Sequence, residues 1–487
     1  MSQIRVNDLT FHYEGSYDNI FEHTSFMLDT SWKLGFVGRN GRGKTTFLKL
    51  LMGELDGGGA ISASVAFDYF PFPVQNDSLT AEAVFASVSD APRWRLEKEL
   101  NLLEVEPDAL ERAFSTLSPG EQTKVLLAAL FSRAGHFLLI DEPTNHLDME
   151  ARTVVSRYLS GKQGFILVSH DRAFLDGCVD HILSINRASI ELQKGNFSSW
   201  EENRRRQDNF ERGENERLTR EICELHAAAR RTAEWSDRVE RSKIGEHAAD
   251  RGFIGAQSAR MMKRAKATER RQENAAKEKE KLLKDLERND TLKITPLKHH
   301  SDLLAEAQNL SVVYGARTVC GPLDFTIRQG ERIALSGKNG SGKSSVIKLL
   351  MGEDIPHTGV LRTANGLVVS YMPQDTSFLK GDVLDFAREN GLDETLFLTI
   401  LRKLDFPRIQ FEKDMRAFSG GQKKKALLAK TLSERAHLYV WDEPLNFVDV
   451  LSRMQIRDLL LAANPTMLFV EHDKTFVDEI ATRRIIL

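Results

Sequence analysis

The chain has 487 residues, of which 41% are hydrophobic and 28% charged, with a formal net charge of −3; it is too long for one core and too ordinary in composition for general disorder. No uninterrupted apolar run approaches the roughly 20 residues of a membrane-spanning helix, and the opening MSQIRVNDLTFHY has no apolar signal core. Cys178, Cys223 and Cys320 are too few and too scattered for a disulfide framework or a zinc site, so the expectation is a two-domain protein of the reducing cytoplasm, with no membrane partner.

In residues 1–200 an apolar run, LGFV, leads into Gly38-Arg-Asn40-Gly41-Arg-Gly43-Lys44-Thr45-Thr46. Glycines at this spacing let successive backbone N–H groups converge on phosphate oxygens, and the helix that follows favours the anion through its dipole. Lys44 is then placed for the outer phosphates and Thr45 for Mg²⁺. Further on, HFLLIDEP reads as a buried strand ending in two carboxylates. Asp141 suits the outer shell of the metal and Glu142 suits polarising an attacking water, the alternative being a strand that runs into an acidic turn. ILVSHD puts His170 at another strand end, where it either contacts the γ-phosphate or is an ordinary surface histidine.

Residues 201–295 change character. Proline is absent from Glu201 to Lys293, and Glu, Arg, Lys, Ala and Gln dominate, as in long solvated helices. Gly245, Gly252 and Gly255 fall together in KIGEHAADRGFIG, which predicts a turn between an outgoing and a returning helix. Arms of about 40 residues would project about 60 Å. The stretch Arg251–Arg271 has seven basic residues against one acidic, including Arg251, Arg260, Lys263, Arg264 and Lys266, which is the charge pattern of an RNA-binding surface; the alternative is a solvated helix balanced by its opposite arm. Phe253 and Ile254 sit near the predicted tip, either as local packing or as groups that insert into a partner.

Residues 296–487 repeat the first block after about 300 positions, with LSVVY, GKNGSGKSS, FSGGQ, YVWDEPLNFVD and FVEHD answering LTFHY, GRNGRGKTT, LSPGEQ, LLIDEPTNHLD and LVSHD. Gly337, Asn339, Gly340, Gly342, Lys343, Ser344 and Ser345 therefore form a second phosphate loop, Asp442 and Glu443 a second carboxylate pair, and His472 a second strand-end histidine. Recurrence in register makes chance matches negligible.

With these motifs in place, the chain resembles the ATP-binding cassette proteins along nearly its whole length. The resemblance implies an α/β fold of two tandem P-loop cassettes joined by a long antiparallel helical hairpin. It also implies that Ser118 and Gly120 of LSPGEQ, and Ser419, Gly420 and Gly421 of FSGGQ, are signature residues, each capping the ATP of the opposite cassette. Tyr13 and Tyr314 stand where the family's adenine-stacking aromatic lies, or are simply strand residues. Gln374 matches the glutamine that senses Mg²⁺ and the attacking water. In the first copy Phe72 occupies that place and Gln75 is displaced; Pro119 replaces a signature glycine, and NFVD stands where the first copy has NHLD. These departures imply two competent but unequal sites.

Two cassettes joined by a charged hairpin resemble the ABC-F translation factors, and GFIGAQSARMMKRAK with WDEPLNFVDVLSRMQI is most similar to the Lsa-type ribosome-protection branch. The resemblance implies an ATPase using ATP and Mg²⁺ that acts as a monomer, without DNA, in the exit site of the bacterial 70S ribosome, with 23S rRNA and P-site tRNA as partners. It further implies resistance to lincosamides, streptogramin A and pleuromutilins. A housekeeping factor for stalled ribosomes and the energy module of a drug exporter are the alternatives. A DNA-repair ATPase would call for a longer coiled coil and zinc-binding cysteines.

Overall fold

The structure is a computed structural model that describes residues 2–13, 19–74, 76–133, 135–145, 147–185, 190–241, 263, 266–268, 270–271, 274–275, 292–315, 317–338, 340–406 and 408–487. Gln75, Asn339, Arg251, Phe253, Ile254, Arg260 and Arg264 lie outside the described residues, as do Gly245, Gly252 and Gly255. The chain forms two compact units, one of Met1–Ser198 with Asn289–Leu487 and one of Ser199–Arg288. The first unit holds both cassettes.

Each cassette is built on a mainly parallel sheet whose central strands, such as Phe165–Val168 and Met467–Val470, are continuous apolar runs, as expected where both faces are covered. In the first cassette the order is Ala66–Phe70, His136–Asp141, Phe165–Val168, Lys33–Val37, His181–Ile185 and Ile190–Lys194, with the last strand antiparallel to its neighbour. In the second it is Val369–Met372, Leu438–Asp442, Met467–Val470, Arg332–Ser336 and Arg483–Ile486. Beside each lies a three-stranded antiparallel sheet, centred on Gln3–Phe11 in one case and Leu303–Tyr314 in the other. The phosphate-loop strand is thus flanked by the strand that ends at the histidine, and the strand that ends in the carboxylates is next. Their carboxyl ends share one edge, which is where an open α/β sheet presents a ligand site.

The helix that follows the first phosphate loop, Lys44–Met52, is fixed from beneath by Phe47, whose ring packs 6.0 Å from Phe21, 5.8 Å from Phe26 and 5.4 Å from Phe36, centroid to centroid. Phe47→Ala is expected to lower stability by about 3–5 kcal/mol through lost burial and the cavity left behind, read as a fall in the denaturant midpoint.

Leu292 and Ile294, just before Pro296, are buried among the core residues of the second cassette, and Leu297 N donates to Ala436 O at 2.8 Å. The second unit is described chiefly by its outgoing arm, within the 45-residue helix Phe197–Arg241, about 70 Å long at the usual rise. Pairs such as Arg206 with Glu202 and Arg217 with Glu221, one turn apart, line its surface. Lys263 and Lys266 are helical and exposed.

Candidate functional site

Both phosphate loops take the backbone path that only glycine tolerates. Gly41 and Gly43 have φ of 81° and 94°, Gly340 and Gly342 have 79° and 93°, and a Cβ at Gly43 would meet Ile20 Cγ2 at 2.3 Å. The loops open the helices Lys44–Met52 and Lys343–Leu350, so unpaired N–H groups and the positive end of each dipole face the same cradle. The two lysines fold over their own loops. Lys44 Nζ donates to Gly38 O at 2.7 Å and Arg39 O at 3.2 Å, and Lys343 Nζ to Gly337 O and Lys338 O, both at 2.8 Å. Burial pushes both ammonium groups down, with the nearby carboxylates opposing it.

The carboxylate pairs sit at the adjoining strand ends. Thr45 Oγ1 donates to Asp141 Oδ2 at 2.9 Å, and Ser344 makes the corresponding bond to Asp442, whose pKa burial nevertheless pushes up. Asp442 Oδ1 is buried and has no hydrogen-bond partner among the described residues. A buried lone acceptor beside a hydroxyl at the mouth of a phosphate cradle fits a hydrated Mg²⁺ held by Ser344 and Asp442, and by Thr45 and Asp141 in the other copy.

Glu142 and Glu443 both adopt left-handed backbone, with φ of 51° and 49°, a conformation unfavourable for a residue with a Cβ and held here by strand pairing of Glu142 N to Val168 O and Glu443 N to Val470 O. His170 Nε2 lies 3.2 Å from Glu142 Oε1 and His472 Nε2 lies 3.4 Å from Glu443 Oε1. Each strand-end histidine therefore faces its glutamate rather than bulk solvent. The two carboxylates differ in environment. Burial, with Asp141 beside it, pushes Glu142 up to about 8. Burial also raises Glu443, but the bond and charge of His472, followed by the bond of Gln374, outweigh it and hold the group below its ordinary value.

The signature stretches begin the helices Pro119–Ser132 and Gly420–Ser433, where Ser118 and Ser419 are N-caps within reciprocal capping boxes to Glu121 and Gln422. Pro119 is accommodated without damage because the first helical position has no intrahelical use for its N–H. Ser118 and Gly120 line a cavity of about 930 Å³ together with Gly340, Gly342, Lys343, Ser344, Ser345, Gln374, Glu443 and His472, so the second phosphate loop faces the signature of the first cassette. At the reciprocal place a Cβ on Gly421 would lie 3.1 Å from Asn40 Nδ2, which brings the second signature onto the first phosphate loop.

Tyr13 and Tyr314 are about half exposed, and their hydroxyls reach the phosphate-loop helices at Thr46 Oγ1 (2.9 Å) and Ser345 Oγ (3.1 Å). Tyr314 ends the strand Leu303–Tyr314, and Tyr13 follows the strand Gln3–Phe11 with its ring edge-on to Phe11 at 5.1 Å between centroids. Gln374 Nε2 donates to Glu443 Oε2 at 2.8 Å. Three contributors escape a motif search. Asn446 Nδ2 donates to Glu443 Oε2 at 2.6 Å, Tyr69 OH to Asp141 Oδ2 at 2.9 Å, and Lys425 Nζ pairs with Asp449 Oδ2 at 3.0 Å. All three recur in the other copy as Asn145, Tyr371, and Lys124 with Asp148, which was the available signal.

The family described as ABC transporter matches residues 21–145 and 320–446. Among individual proteins, the chain is 28% identical over 497 residues to the ribosome protection protein VmlR of Bacillus subtilis, covering 98% of this chain and 85% of that one. It is 29% identical over 527 residues to the energy-dependent translational throttle protein EttA of Haemophilus influenzae, covering 95% and 88%. In three dimensions it resembles archaeal ribosome recycling factor aABCE1, solved in complex with the archaeal ribosomal stalk protein aP1, with a TM-score of 0.64 over 98% of this chain and 87% of that one at 21% identity. A likeness at that identity speaks for the fold alone.

Proposed function

The chain belongs to the ATP-binding cassette (ABC transporter) family as an ATPase of the ABC-F type with two cassettes in one polypeptide, and from that premise we propose that it is a ribosome-protection protein of the bacterial cytoplasm. ATP draws the two cassettes together, the closed form binds the exit site of the 70S ribosome, and the charged segment 201–295 acts on P-site tRNA and the drug site of the peptidyl transferase centre. Lincosamides, streptogramin A and pleuromutilins are the drugs concerned.

The observation that carries the ATP-driven part is the cavity in which Lys343 and Ser344 face Ser118 and Gly120 across the two cassettes. A triphosphate seated on one loop gains hydrogen bonds from the N-terminus of the opposite signature helix, so binding energy goes into closure. Mg²⁺ at Thr45 and Asp141, or Ser344 and Asp442, would offset the phosphate charge. Glu443, held by Gln374 and Asn446, orients the attacking water and accepts its proton, while the neighbouring histidine fixes the carboxylate.

The partner rests on the names of the relatives and on the basic run Arg251–Arg271, in which phosphate neutralisation supplies affinity. A second reading, a housekeeping factor on stalled ribosomes, is favoured by the likeness to the translational throttle protein. No helix among the described residues is long and apolar enough to cross a membrane. An exporter's energy module would leave the long charged helix without a task.

Expression in a susceptible bacterium separates the readings. Protection predicts that inhibitory concentrations rise for all three drug classes and not for drugs that act elsewhere on the cell. Unchanged susceptibility with altered recovery from stalling would favour the housekeeping role.

A further inference from the structure

A second cavity, of about 400 Å³, lies between the cassettes, with Arg152, Arg157 and Asp171 of the first and His472 and Lys474 of the second on its wall. His472 also lines the larger cavity at the second phosphate loop, so one side chain is a wall of both spaces. At the larger cavity Lys338 and Glu150 pair at 3.3 Å from one cassette to the other.

The second cavity exists because two of its residues are small. A Cβ on Gly177 would already meet Ser156 Oγ at 2.3 Å. The repeat puts Glu479 and Arg457 at these places, and there the space is filled. Glu479 Oε2 pairs with Arg457 Nη1 at 3.4 Å and, across the cassettes, with Arg172 Nη1 at 3.7 Å. Arg172 is the counterpart of Lys474 in the repeat. Lys474 therefore holds a cation's place without the carboxylate its counterpart meets; it is exposed and makes no ion pair among the described residues.

Arg152 has the same surplus. It is 8% exposed, and it donates from Nε to Leu147 O at 3.0 Å and from Nη1 to Asp171 Oδ2 at 2.9 Å. Its counterpart Arg453 makes the corresponding two bonds and a third, from Nη2 to Leu445 O at 2.8 Å. Nη2 of Arg152 has no hydrogen-bond partner among the described residues. The one carboxylate on the wall, Asp171, is already engaged by Arg152 and by Phe174 N. Arg157 pairs with Glu104 at 3.3 Å, but both side chains are mostly exposed and such a pair is weak. The wall is thus short of negative charge, and it offers the guanidinium and ammonium donors that suit a phosphate.

We propose that this cavity is a phosphate site whose occupant is the inorganic phosphate formed at the second phosphate loop, which passes His472 and is held by Arg152 and Lys474 on its way to solvent. A phosphate that leaves by its own route need not wait for ADP to go. The proposal rests on the ATPase activity and not on the ribosome as partner.

The site is tested in the Glu142→Gln, Glu443→Gln double variant loaded with Mg²⁺ and ATP, in which both γ-phosphate positions are filled, by equilibrium dialysis against radiolabelled inorganic phosphate. About one phosphate per chain is expected, and Lys474→Glu in the same background should weaken it at least about tenfold by setting a like charge against the dianion. Absence of binding, or equal binding with and without Lys474→Glu, would overturn the site. The exit role is read in single turnovers of the chain with both glutamates intact, comparing ATP cleavage by acid quench with the appearance of free phosphate by a fluorescent phosphate reporter. In Lys474→Glu, and in Ser156→Arg with Gly177→Glu, which transplants the filled arrangement, phosphate should lag cleavage by about threefold or more beyond the wild type. An unchanged lag in both variants would overturn the exit role and assign the bound phosphate to solution. A chain that binds ATP without cleaving it would instead overturn the ATPase reading, and the dialysis result would stand apart from it.

Discussion

Replacing Glu142 and Glu443 together by glutamine is expected to lower ATP hydrolysis by about 10²-fold or more while ATP binding persists, because an amide keeps the size and one acceptor of the carboxylate but cannot take the proton of the attacking water. The strand-end backbone that presents both residues is unaffected by the change, since the left-handed φ of 51° and 49° is set by pairing to Val168 and Val470 rather than by the side chain. His170 and His472 each keep an acceptor opposite the ring. The double variant should therefore fold with an unchanged unfolding midpoint and accumulate as a closed, ATP-loaded form, seen as nucleotide that co-elutes as ATP rather than ADP. Turnover near the wild-type rate would remove both glutamates from the chemistry.

The second large effect is expected in the charged segment. Reversing Lys263, Arg264 and Lys266 to Glu should weaken ribosome binding most at low salt and make the remaining binding less steeply dependent on salt, because each lost phosphate contact removes a counterion-release contribution, while basal ATPase persists. Shortening the segment at Gly252–Gly255 should act differently. The basic stem remains and docking should be kept, but antibiotic protection should fail because nothing reaches the functional centre. The distinction follows from phosphate contacts positioning a protein without deciding what its tip touches. Filter binding across a salt series, with inhibitory concentrations measured in parallel, separates the two variants. Full protection by the shortened protein would exclude direct action through this segment.

The cassettes were legible in the sequence because their chemistry is local. Glycine spacing dictates the phosphate cradle, four- and five-residue apolar runs dictate buried strands, and the carboxylates follow directly in the chain, so Asp141, Glu142, Asp442 and Glu443 could be placed before any coordinates. The repeat supplied the control that a single motif lacks. Contacts between distant parts of the chain were not legible. That Asn40 would meet the carbonyl of Phe447 depends on a backbone angle and on how two domains pack, and neither leaves a mark in the residue types. The same holds for Lys425 and Asp449, whose pairing out of solvent no motif announces. The hydroxyl bond of Tyr69 to Asp141 was not legible either. Phe72 was legible as a departure from the place of Gln374, and the bond of Gln374 to Glu443 was not.

On the proposed function, ATP occupancy of the paired cassettes commits the protein to the ribosome. Pelleting the Glu142→Gln, Glu443→Gln double variant with purified 70S ribosomes through a sucrose cushion, with ATP, with ADP and without nucleotide, tests it most directly. Recovery in the ribosome pellet near one protein per ribosome is expected with ATP, and little with ADP or without nucleotide. Protein that stays in the supernatant with ATP, or that pellets equally under all three conditions, would contradict it.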